Sequence, residues 1–159
     1  MNTTDSIINE LLELMDKKSA LFKNIMEITL EQKKDIENGV ENMEKLIKEK
    51  QTIIDSVDKI DALFSERINV LKNQLKVNTL EEIDSTKYPM MKSLKNKVDE
   101  IMSQARKIMD IEESNKNELI KLMNDLTKEM KQMKVGRKSL KAYETPVVNS
   151  DGIYIDRRK

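Results

Sequence analysis

Met102, Met109, Met123 and Met130 recur at multiples of seven residues, with Lys116 filling the one gap in the series. Methionine carries a flexible, polarizable thioether, so a row of it makes a contact surface that adapts to apolar partners of different shape. That is the chemistry of recognition, not of bond making. The other abundant groups are charges: 29 Asp and Glu against 29 Lys and Arg, a formal net charge of +0, and no His, Cys or Trp in 159 residues. Without imidazole or thiolate, the chain lacks the usual ligands of a structural zinc site and the partners of a Cys-His or Ser-His nucleophile. Carboxylates could still catalyse, but only in a cleft that drives two of their pKa values apart, and no pair is singled out for that. A Gly-rich phosphate loop is also missing. The chain is expected to be no enzyme and to need no metal or cofactor.

The elements that carry these residues are helical. From Val40, strides of three and four residues reach Met43, Ile47, Lys50, Ile54, Val57, Asp61, Phe64, Ile68, Leu71 and Leu75, and only Lys50 and Asp61 break the apolar run. A strand repeats every two residues, so this spacing describes one long helix with a seam to bury, roughly 50 Å from end to end. A second stripe, Leu46, Ile53 and Ile60, runs beside it. Residues 4–38 form an earlier helix, opened by Thr3, Thr4 and Asp5, with two neighbouring apolar stripes wide enough to touch two partners. Asn38-Gly39 is the reversal between the two, giving a tight hairpin over 4–38 and 40–75. Thr79 stands three residues before Glu82, the spacing of a capping box, and opens a short helix near 80–85. Pro89 then starts a third helix over 89–142, with Gly136 inside it.

The register of that third helix reads Leu94, Val98, Ile101, Ala105, Ile108, then Glu112 and Asn115, then Leu119, Leu122 and Leu126. It predicts a seam dry at both ends and polar at the waist. Polar seam residues such as Lys50, Asp61, Glu112 and Asn115 either fix register or, more commonly, lie where helices splay and water enters. The methionine row flanks the seam, and two readings stay open: it packs against the second stripe of another helix, or it is a groove for a partner helix.

The expected fold class is therefore all-α, an antiparallel bundle of three long helices with a flexible C-terminal tail. Residues 1–142 make the helical domain and 143–159 the tail. From Lys131 to Lys159 eight basic residues face three acidic ones, so this end is a distinct electrostatic module. Pro146 and the turn-like Asn149-Ser150-Asp151-Gly152 precede Ile153-Tyr154-Ile155, the one β-like stretch. No aromatic stacking platform accompanies the charge, which argues against nucleic acid, and the apolar side of 131–143 is too thin for stable membrane insertion. No apolar run exceeds three residues, so neither a membrane span nor a signal peptide is expected, and the protein should be cytosolic.

A helical hairpin bent at Asn38-Gly39, a third helix rising from Pro89, and the ending Gly136-Arg137-Lys138-Ser139-Leu140-Lys141-Ala142-Tyr143 followed by Asp151-Gly152-Ile153-Tyr154-Ile155-Asp156-Arg157-Arg158-Lys159 resembles the FlgN-type flagellar export chaperones. The resemblance covers nearly the whole chain. It implies a cytoplasmic chaperone, acting without cofactor, for the hook-filament junction (hook-associated) proteins. Such a chaperone binds their amphipathic C-terminal helical segments, prevents premature polymerisation and delivers them to the flagellar type III export apparatus. Met102, Met109, Met123 and Met130 are the candidate client surface, and the resemblance places docking to the export gate or ATPase complex at Tyr143, with Tyr154 a poorer match. A chaperone for filament or cap subunits, or a structural coiled-coil adaptor or spacer, is the alternative.

Overall fold

The computed structural model describes the backbone of residues 3–144 and the side chains of residues 3–137. Helix α1 spans Thr3–Glu37, α2 Met43–Leu75 and α3 Met90–Glu144, with a single 3-10 turn at Leu80–Glu82. The described residues contain no strand. The short β-like stretch at Ile153-Tyr154-Ile155 and the turn before it lie outside them.

The hairpin bend is built from backbone hydrogen bonds. Asn38 N–H donates to the Lys34 and Asp35 carbonyls at 3.1 Å, and Val40 N–H donates to the Asp35 carbonyl at 2.8 Å. This wrap-back closes the last turn of α1 and requires left-handed backbone, which Gly39 supplies at φ 102. Val40 is also left-handed, at φ 58, so it belongs to the bend and α2 begins three residues later than the apolar spacing indicates. The Asp35 side chain ties the bend together, its Oδ1 accepting from Asn42 N–H at 3.0 Å. At its far end α2 stops by the same kind of wrap-back without a glycine: Lys76 is left-handed at φ 55 and Val77 N–H reaches the Lys72 carbonyl at 3.1 Å.

The capping box between Thr79 and Glu82 is present, but it opens one 3-10 turn instead of a helix to residue 85. Asp84 explains the stop. Its Oδ1 accepts from Thr86 N–H at 2.8 Å and its carbonyl from Tyr88 N–H at 2.9 Å, an alternative set of partners that diverts the chain into a turn. Pro89 stands immediately before Met90, the first residue of α3. The helix runs through Gly136 to Glu144.

Two compact units divide the chain, Met1–Asn115 and Lys116–Lys159. In the first, α1, α2 and the stretch of α3 up to Asn115 pack together around two apolar clusters. The larger joins Ile7, Ile8, Leu11 and Met15 of α1 to Ile68 and Leu71 of α2, Ile83 of the connection, and Met91, Leu94 and Ile101 of α3. Ile8, Leu11, Leu71, Met91 and Leu94 are fully buried, each contributing about 1.5–3 kcal/mol from removal of apolar surface from water. The smaller cluster joins Ile25, Val57 and Ile108. Ion pairs between elements fringe this core: Arg67 with Glu10 at 3.0 Å, Lys18 with Asp61 at 2.6 Å, and Lys97 with Asp16 at 3.3 Å. In the second unit the described structure is the α3 stretch from Lys116 onward.

Candidate partner-binding surface

Buried and exposed residues alternate along α3 with the helical period. Leu94, Ile101 and Ile108 point into the core of the first unit, each under a tenth exposed. Met102 and Met109 follow Ile101 and Ile108 by one residue, about 100° around the helix, and this turn carries them out of the core. They are 50% and 65% exposed.

Past Ile108 the first unit changes from apolar to polar. Lys50 of α2 is buried and donates through Nζ to Gln32 Oε1 of α1 at 2.6 Å and to Glu112 Oε1 of α3 at 2.7 Å. Asn115 is buried too, its Nδ2 donating to the Thr29 carbonyl at 3.1 Å, while the Thr29 hydroxyl donates to the Ile25 carbonyl at 2.7 Å. The waist foreseen in the seam is thus a hydrogen-bonded layer joining all three helices, and at Lys50 and Asn115 the expected splaying does not occur. Satisfied polar groups of this kind pin the register of packed helices. Asp61, the other break in the α2 seam, is exposed and holds Lys18. Lys97 is held above its ordinary pKa, chiefly by its hydrogen bond to Asp16 and further by the charge of Glu100, with partial desolvation working against both.

In the second unit the apolar residues are open. Leu119 and Leu122 are half-buried, whereas Ile120, Met123, Leu126, Met130, Met133 and Val135 are exposed. The far end of the α3 seam is therefore not dry, contrary to the expectation from periodicity, and Leu126 at 50% exposure is the clearest departure. All four methionines of the heptad row are exposed, Met123 at 54% and Met130 at 39% in this unit. Met133 adds to this apolar surface, while Ile120 lies beside it and Val135 on the far side of the helix. Met133 keeps the seven-residue spacing of Leu119 and Leu126, whereas Ile120 and Val135 lie off it. Contiguous exposed apolar side chains of this kind mark interaction surfaces in soluble proteins.

Tyr143 falls within α3, whose end at Glu144 lies beyond the expected 142, so it is a helical position and not one just after the helix. Its side chain lies outside the described residues, and Tyr154 does so altogether. An open depression beside the hairpin bend, lined by Glu31, Lys34, Asp35, Asn42, Lys45 and Glu49, mixes charges of both signs. Among the described residues no three His, Cys, Asp or Glu side chains come together as a metal site.

The family model described as FlgN protein matches residues 1–146, and the chain belongs to the FlgN family. It is a flagellar export chaperone for hook-associated proteins and not an enzyme. No curated protein and no solved structure matches the chain. Among the described residues no helix is long and apolar enough to cross a membrane.

Proposed function

We propose that this chaperone takes up the amphipathic C-terminal helical segments of hook-associated proteins on exposed apolar side chains of α3. Met123 and Met130 serve in the second unit and Met102 and Met109 in the first. The exposure of all four methionines, in a helix whose Leu94, Ile101 and Ile108 are sealed, carries this reading. A terminal segment that polymerises on contact has an apolar helix face. Covering that face reversibly prevents premature assembly without any covalent step, and methionine suits clients that differ in shape.

Residues 1–142 act as the chaperone domain and 143–159 as a basic tail, with Tyr143 the residue that docks to the export gate or ATPase complex. The protein works in the cytoplasm. The test pairs two variants. Met109→Asp with Met123→Asp should abolish capture of a hook-associated protein's C-terminal peptide while circular dichroism stays at the parent value; a collapse of helicity would return these residues to the core. Tyr143→Ala should leave capture intact and reduce secretion of hook-associated proteins, and unchanged secretion would remove Tyr143 from the docking role.

A further inference from the structure

The exposed face of residues 116–137 has two borders of opposite charge. At about 3.6 residues per turn, Leu119, Met123, Leu126, Met130 and Met133 gather within an arc of about 80°. Glu118, Asp125 and Glu129 follow one border of that arc, confined to about 40° of the helix surface, and all three are exposed. Lys116, Lys131 and Lys134 follow the other, the first two exposed and the third half-buried. Lys121 and Lys128 lie on the far side of the helix from the apolar arc. Apart from Arg137, which ends the stretch in line with Leu119 within the arc, the charges beside the arc are thus sorted by sign and placed where the edge residues of a helix meet those of a neighbour packed alongside.

We infer that the occupant of this face is a helix whose own apolar stripe has one acidic and one basic edge. The inference rests on the proposed reading of α3 as the client surface and narrows the client's chemistry. A helix acidic along both edges would set like charges against Glu118, Asp125 and Glu129, and one basic along both would do the same against Lys116 and Lys131. Like charges in such juxtaposition act as a filter against the wrong partner, whereas apolar contact supplies affinity for any of them. Only a helix of mixed edges matches both borders at once, in whichever chain direction brings its acidic edge to the lysines.

The test uses the full chain and three synthetic helical peptides that share length and apolar stripe. One carries a glutamate edge and a lysine edge, one glutamate on both edges and one lysine on both. Binding is read by fluorescence anisotropy at low and at high salt. The mixed peptide should bind about tenfold more tightly than either uniform peptide at low salt, with the gap closing at high salt as the charges are screened. In the variant Glu118→Lys with Asp125→Lys and Glu129→Lys, both borders become basic and preference should pass to the all-glutamate peptide. Equal affinities for all three peptides on the parent chain would leave the apolar surface in place and overturn the charge assignment. So would tightest binding of the all-glutamate peptide, which would mean that net positive charge governs. Failure of every peptide to bind would overturn the client surface itself. A parent dimer that Met123→Asp dissolves, seen by light scattering, would put a second copy on the face and overturn a client occupant.

Discussion

Two stretches of α3 carry the same apolar repeat and meet opposite fates: Leu94, Ile101 and Ile108 are sealed in the first unit, while Met123, Leu126 and Met130 of the second stand open. The repeat specifies an apolar face, and burial needs a partner as well. The residue types differ with the fate. Leu94, Ile101 and Ile108, whose few rotamers fill a defined space, line the sealed stretch together with Met91, and methionine, which fits irregular surfaces, supplies three of the six exposed apolar residues of the open one. On the proposed reading, the sealed stretch holds the fold while the open one stays free for a client.

Several substitutions would break or sharpen that contrast. The largest effect is expected from Ile101→Ala, which leaves a cavity in the larger cluster and should cost about 2–5 kcal/mol in urea unfolding, against less than about 0.5 kcal/mol for Met123→Ala. Equal costs would mean that the two stretches are buried alike and would erase the distinction. Next comes Lys50→Ala, which strips partners from Gln32 and Glu112 and should destabilise by about 1–3 kcal/mol. Replacing Lys50 and Gln32 together by leucine should recover much of that loss, because an apolar pair needs no hydrogen bonds and the Glu112 side chain, 44% exposed, is left to water. If the double replacement is worse than the single, the layer contributes more than mutual satisfaction.

Asp61→Ala removes the exposed pair with Lys18 and should cost no more than about 1 kcal/mol, fading with added salt. The smallest effect concerns Lys97. Its pKa is raised above the ordinary lysine value, so its pairing stabilises fully below that value and is lost as pH rises through the higher folded value. Lys97→Met should flatten the corresponding alkaline fall in melting temperature, a change worth less than about 1 kcal/mol because the group is partly in water.

Much of this fold is legible in the amino-acid order. The long helices follow from the three-four spacing, the bend from Asn38-Gly39, the connection from Thr79 and Glu82. Other features depend on the surroundings. Val40 fits the heptad of α2 but is taken by the left-handed bend, and Lys76 ends α2 in a conformation that only its hydrogen-bonded context imposes on a lysine. Ile47 keeps the period and is 53% exposed, while Leu46 beside it is buried, a shift of one position that periodicity does not resolve. Lys50 and Asp61 look alike as breaks in a seam. They part company because Gln32 and Glu112 come within reach of one, and only Lys18 pairs with the other. The methionine row was visible from its spacing, but whether it faced protein or solvent depended on packing that the same spacing allows either way.

Methionine oxidation mapped by mass spectrometry, with and without a bound C-terminal segment of a hook-associated protein, tests the central claim most directly. In the free chaperone Met102, Met109, Met123 and Met130 should be oxidised rapidly while Met15 and Met91, 3% and 0% exposed, resist. Binding should protect Met123 and Met130 most strongly and leave Met15 and Met91 unchanged. Oxidation of Met123 and Met130 at the same rate in the complex as in the free protein would show that the client sits elsewhere.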